Sequence, residues 1–165
     1  MNNFLEYFNR LSEVYSSNIL YHRTSPMAAI NILKENTIKV GGTYLFNHTF
    51  GKCICFSRDY NFIKQMPGKN FVVFVFDKDR LNTKFKIEPI TDYKNFNNFK
   101  GRTIGNSKAE EICFKDISSI HKYLLKIIIS DEIFEEFVEE LNNQNIVYNK
   151  NICVKASEYN IKNLG

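Results

Sequence analysis

The run "NFVVFVFD", residues 70–77, limits the fold more than any other stretch of this 165-residue chain. β-Branched and aromatic side chains in unbroken succession fit a pleated strand and little else. A second apolar run, "LLKIIIS", also reads as a buried strand. Around these two the pattern alternates. "NILYH" is a short strand, Ser25 caps a helix that opens on Pro26 and runs to Asn36, and "TIKV" is a strand broken at Gly41-Gly42. "KCICFSRD" predicts a buried strand leading into a polar turn, "DKDRL" one turn of helix, and "KFKIEPI" another strand.

The spacing of Phe4, Leu5, Phe8, Leu11 and Val14-Tyr15 predicts an amphipathic helix over 3–16. Residues 43–51, which contain His48, read as a loop, and residues 91–108 as a long one. After it come a strand at "AEEICFKDI", a short helix at "SSIHKY" and an amphipathic helix at "DEIFEEFVEELNNQ". "NIVY" and "NICV" are expected to form a last edge pair. Strands mixed with short helices in this order imply an α+β fold of two small mixed or antiparallel sheets, not a doubly wound parallel one. The length suits a single domain over 1–165, without repeat or linker.

Hydrophobic residues are 44% and charged residues 24%, a globular balance, and the net charge of +4 is spread along the chain, so nucleic acid is permitted without being indicated. No run approaches the roughly 18 uncharged apolar residues of a spanning helix, so no membrane partner and a cytoplasmic location are expected. The four cysteines form no C-x-x-C pair. Cys53-Ile-Cys55 directs both thiols to one face with little reach to bridge, and all four read as reduced core residues. His22, His48 and His121 share no ligand spacing with each other or with cysteine, so no metal is expected. No Gly-rich phosphate loop with the required strand and helix context occurs.

Three stretches concentrate polar chemistry. In "YHRTS", His22, Thr24 and Ser25 offer a ring nitrogen and hydroxyls beside a helix N-terminus, which suits a ribose or a phosphate. The same residues serve equally as a cap and a turn. In "CFSRDY", Arg58 could pair a phosphate and Tyr60 stack on a flat ring, or the two could form a surface turn and a satellite cluster. Glu110-Glu111 open an apolar strand, where alternation sends neighbours to opposite faces.

Taken in order, "LYHRTS" before a helix, "ICFSRD", and "AEEICF" before a "YLLKIII" strand resemble the ADP-ribosyltransferase superfamily, particularly its phage-borne members and its DNA-modifying toxin branch. The resemblance spans residues 19 to about 129. It implies two sheets forming an NAD cleft with flanking helices, His22 on the adenosine ribose, and Thr24 or Ser25 near the nicotinamide end. It also implies Arg58 near the pyrophosphate or the target, with Arg23, Ser57 and Tyr60 among the cofactor-binding residues. Glu110 matches the catalytic glutamate of an A-E-x-[IVL] strand, with Glu111 in reserve. Arg23 stands where the family often has a small residue.

The implied function is transfer of ADP-ribose from NAD, as co-substrate, to a protein or nucleic acid, and the phage-borne members imply a setting in phage–host conflict as an anti-defence modification. Such a reaction places positive charge on the ribose, which a carboxylate stabilises. Tyr93, Phe96, Phe99, Lys100 and Arg102 in the 91–108 loop would recognise the target. The rival expectation is an inactive protein of the same fold that blocks a partner. Oligomeric state is left open.

Overall fold

The structure, a computed structural model, describes residues 18–41, 53–89 and 110–164. The expected helix over 3–16, the loop at 43–51 and the 91–108 segment with its five recognition residues therefore lie outside the described residues.

The "VVFVFD" run forms β4 (Val72–Asp77), flanked by β1 (Ile19–Thr24) over six registered pairs and by β8 (Leu124–Ile129) on its other side. Around these three the sheet adds β3 (Ile54–Ser57), β5 (Glu88–Pro89), β6 (Glu110–Cys113) and β9 (Cys153–Lys155) in the order β5-β6-β3-β1-β4-β8-β9. Every neighbour is antiparallel except β9, which runs parallel to β8. β2 (Thr37–Ile38) and β7 (Ile117–Ser118) make a separate two-stranded ribbon.

β4 lacks polar alternation because both sheet faces are covered. Val72, Phe74 and Phe76 enter a large cluster with Leu20, Ile127 and Ile129, while Val73 and Val75 join Tyr21 and Ile128 in a smaller one behind it. Each fully buried Phe or Val contributes on the order of 1.5–3 kcal/mol, so this strand alone supplies much of the driving force.

α1 (Pro26–Glu35) starts as its sequence dictates. Ser25 Oγ accepts from Ala28 N–H at 3.3 Å, Pro26 takes the first turn, and Asn36 closes the helix in the left-handed region at φ 51°. Ala29 and Leu33 carry its buried face. The polar turn expected after "KCICFS" falls at residues 58–59 and leads into a short helix the sequence did not announce, α2 (Tyr60–Gln65), started by Asp59 Oδ1 accepting from Asn61 N–H at 2.9 Å. α3 (Lys78–Asn82) follows β4, capped by Asp77.

"KFKIEPI" contributes only its last residues as strand, Phe85 and Ile87 being buried outside it. "SSIHKY" is a 3-10 turn over Ile120–Lys122. The amphipathic helix α4 (Phe134–Asn143) is entered through another such turn at Asp131–Ile133. The expected edge pair becomes one strand: Asn145 takes φ 52° and Asn149 caps a 3-10 turn at Lys150–Ile152, so "NIVY" cannot extend and only Cys153–Lys155 pairs. Among the described residues no helix is long and apolar enough to cross a membrane.

Candidate functional site

β1 and β3 share one registered pair, Tyr21 with Ser57. Beyond it the two strands part, and the space between them opens into a cleft of about 710 Å³ walled by α1 on one side and α2 on the other. That is within the ~300–1,000 Å³ range of small-molecule sites. His22, Thr24 and Ser57 line it together with apolar groups, among them Ile32, Phe56, Phe62 and Met66.

Where the ladder fails, His22 replaces it. Its Nδ1 lies 2.9 Å from the carbonyl oxygen of Cys55. A carbonyl only accepts, so Nδ1 carries the proton and the neutral ring keeps Nε2 as an acceptor. Burial holds the imidazole below its ordinary pKa, with the Cys55 hydrogen bond opposing in part, which favours this neutral form. The ring sits 5.7 Å from that of Phe56.

Arg23, next on the strand, is occupied in building the wall. It donates to the carbonyls of Ile63 at 2.7 Å and of Pro67 and Gly68 at 2.9 Å, and lies 4.3 Å over the Phe71 ring. Gly68 takes φ 106°, and a Cβ there would stand 3.4 Å from the guanidinium. The departure from a small residue at position 23 thus has a structural use: it fastens the segment after α2 that closes the cleft.

Ser25 spends its hydroxyl on the α1 cap and is absent from the cleft lining. Ser57 is buried; its Oγ accepts from Asp59 N–H at 3.0 Å and so shapes the turn into α2. Tyr60 is not brought to the cleft. Its ring packs 5.4 Å from Tyr21 and 4.7 Å from Tyr159 in the smaller cluster, and burial, aided by Tyr159 and Asp131, pushes its hydroxyl up to about 12.

The two glutamates separate. Register sets Glu110 opposite Ser57 and Glu111 opposite Phe56, both of which line the cleft. Glu111 is 1% exposed. Its Oε1 meets Lys78 Nζ at 2.5 Å and Arg58 Nε at 4.0 Å, while Oε2 has no hydrogen-bond partner among the described residues. Arg58 therefore stands by the carboxylate of β6, outside the cleft lining. Sequence reasoning missed Lys78. It lies 33 residues from Glu111, in a segment whose only local signal was a turn of helix, so nothing in the spacing could have found it. Among the described residues no cluster of three or more His, Cys, Asp or Glu is placed to hold a metal.

No family model and no curated protein sequence matches the chain. Solved structures do. DarT of Thermus sp. 2.9 in complex with NAD+ superposes with a TM-score of 0.57 at 10% identity, covering 88% of this chain and 98% of DarT. The complex with carba-NAD+ gives 0.53 at 11% identity over 88% and 99%, and that with ADP-ribosylated ssDNA 0.56 at 8% over 87% and 96%. The chain has the DarT fold. That agrees with the α+β, ADP-ribosyltransferase-like architecture read from the sequence, with the two sheets unequal, seven strands against two among the described residues. The correspondence extends over most of this chain and nearly all of DarT.

Proposed function

We propose that this chain binds NAD+ in the cleft between β1 and β3 and transfers its ADP-ribose to a macromolecule. The observation that carries the reading is His22, fixed by the Cys55 carbonyl at the point where the two strands part, in a fold that DarT uses with NAD+ bound. His22 Nε2 accepts a ribose hydroxyl, and Thr24 supplies a second polar contact on the same strand. The backbone edges left unpaired where the strands diverge suit an amide group. Phe56, Phe62 and Met66 give a flat ring an apolar bed.

Glu110 is the carboxylate we assign to the positive charge developing on the ribose, because it follows Ala109 as in the A-E-x-[IVL] pattern and Glu111 is already engaged by Lys78; the strand partners of both acids, Ser57 and Phe56, line the cleft. Glu111, sealed against Lys78 and Arg58, fixes β6 so that Glu110 is presented in register. Nucleic acid is the acceptor to test first, since one structure of this fold holds ADP-ribosylated ssDNA. Tyr93, Phe96, Phe99, Lys100 and Arg102 precede Glu110 in sequence and are residue types that stack on bases and pair phosphates. A role in phage–host conflict rests on the sequence resemblance alone.

Calorimetric titration with NAD+, followed by mass spectrometry of single-stranded DNA or protein after incubation, tests the reading. Glu110→Gln should bind NAD+ near wild-type affinity while transfer falls by about 10²–10⁴. NAD+ binding without added mass on any acceptor would favour the inactive blocking protein, and absence of NAD+ binding would refute the site.

A further inference from the structure

Two groups in the cleft have no part in the proposed transfer. Cys53 and Cys55 both line it, the first buried and bridged to Gly41 through its backbone, the second half-buried and holding His22 with its carbonyl. Their sulfurs are 3.8 Å apart. Two residues apart on an extended strand, their Cα atoms are separated by about 6.6 Å, near the long limit that a disulfide tolerates. The pair is thus poorly placed to close on itself and well placed to share a third atom. With metal–sulfur bonds of about 2.3 Å, a 3.8 Å sulfur separation subtends roughly 110° at the metal, the tetrahedral angle.

We propose that Cys53 and Cys55 form a two-thiolate chelate for a thiophilic divalent cation, zinc or cadmium, inside the cleft. Soft thiolate ligands select such ions, and the two thiols supply two of the four positions of a tetrahedral ion. Binding replaces the two S–H protons by two S–metal bonds and releases the protons to solvent, with no change of oxidation state. The Cys113 thiol is directed at the Lys115 carbonyl, and neither it nor Cys153 lines the cleft. The chain therefore has one thiol pair suited to an ion and two thiols that are not. An ion there occupies space between α1 and β3 and sits on the residue that orients His22, so it competes with a dinucleotide; this consequence, unlike the chelate itself, rests on the proposed NAD+ site.

The test is titration of the reduced, metal-free full chain with Cd2+, read by thiolate-to-cadmium charge-transfer absorption, native mass and proton release. One Cd2+ per chain with release of about two protons is expected. The absorption should be lost in Cys55→Ser and in Cys53→Ser and kept in Cys113→Ser. Near-UV circular dichroism confirms folding, and if the buried Cys53→Ser variant does not fold, the half-buried Cys55→Ser variant decides. No absorption at stoichiometric Cd2+, or absorption that persists in Cys55→Ser, overturns the proposal. NAD+ should weaken Cd2+ binding; if the cysteines hold Cd2+ while NAD+ binds undisturbed, the shared cleft is wrong. If the cysteines hold Cd2+ and NAD+ never binds, the chelate stands and the transferase reading fails.

Discussion

Replacing Lys78 by Met and Glu111 by Gln, singly and together, tests whether the buried pair is what fixes β6. The Glu111 side chain is 2% exposed and that of Lys78 19%, so the two losses are unequal. In Lys78→Met the carboxylate stays buried with Arg58 Nε at 4.0 Å as its remaining charged neighbour in the ion pair, and the cost approaches the ~3–5 kcal/mol typical of an uncompensated buried charge. In Glu111→Gln the ammonium can turn outward to water, and the amide keeps a polar contact, so a loss of about 1–3 kcal/mol is expected. For a chain of this length each kcal/mol moves Tm by about 2–4 °C, which puts Lys78→Met roughly 6–20 °C below wild type. The double variant removes both charges at once and should be more stable than the sum of the single losses by about 1–3 kcal/mol. Thermal and urea unfolding supply all four corners of the cycle. Additive losses, or a Glu111→Gln variant less stable than Lys78→Met, would refute the argument that burial of the acid sets the asymmetry.

Three further outcomes follow from single contacts. The lowered pKa of His22 means that the unfolded chain takes up a proton near pH 6.5 while the folded chain resists until lower pH. Its contribution to stability is therefore complete above about pH 6.5 and lost as pH falls toward the folded value; His22→Gln should flatten that part of the stability profile measured by denaturant unfolding. Arg23→Lys replaces a planar fork that serves three carbonyls by one ammonium, so NAD+ affinity should fall while the NAD+-independent fold, read by circular dichroism, persists. Unchanged affinity would mean that the wall after α2 does not shape the site. Tyr21→Phe removes the 2.8 Å contact to the Tyr159 hydroxyl and should cost about 1 kcal/mol, seen as a lower urea midpoint without change of slope.

What the sequence made legible follows from the range of the forces involved. β4, β8 and α1 were readable because an apolar run, a cap and a first-turn proline are local signals, and the burial that rewards them is large. α2 and the single C-terminal strand were not, because each depends on one Asx side chain choosing a backbone donor: Asp59 begins a helix where a turn fitted as well, and Asn149 ends a strand pattern early. The site divides in the same way. His22 and Thr24 stand on one strand and line one cleft, whereas the tie between Glu111 and Lys78 joins residues 33 apart and leaves no periodic trace.

The deepest limit concerns the two adjacent acids. Both follow Ala109, both begin an apolar strand, and alternation says only that they differ, not which faces the cleft. Register with β3 sets Glu110 opposite Ser57 and Glu111 opposite Phe56, two cleft-lining positions, and what distinguishes the acids is the tie of Glu111 to Lys78. A slip of β6 that carried Ile112 opposite Phe56 would break that tie, taking the carboxylate from Lys78 and leaving the ammonium to turn outward to water. The buried acid thus acts on its neighbour through register, which is why a substitution at Glu111 should lower transfer in proportion to lost structure, and one at Glu110 should lower it with the structure intact.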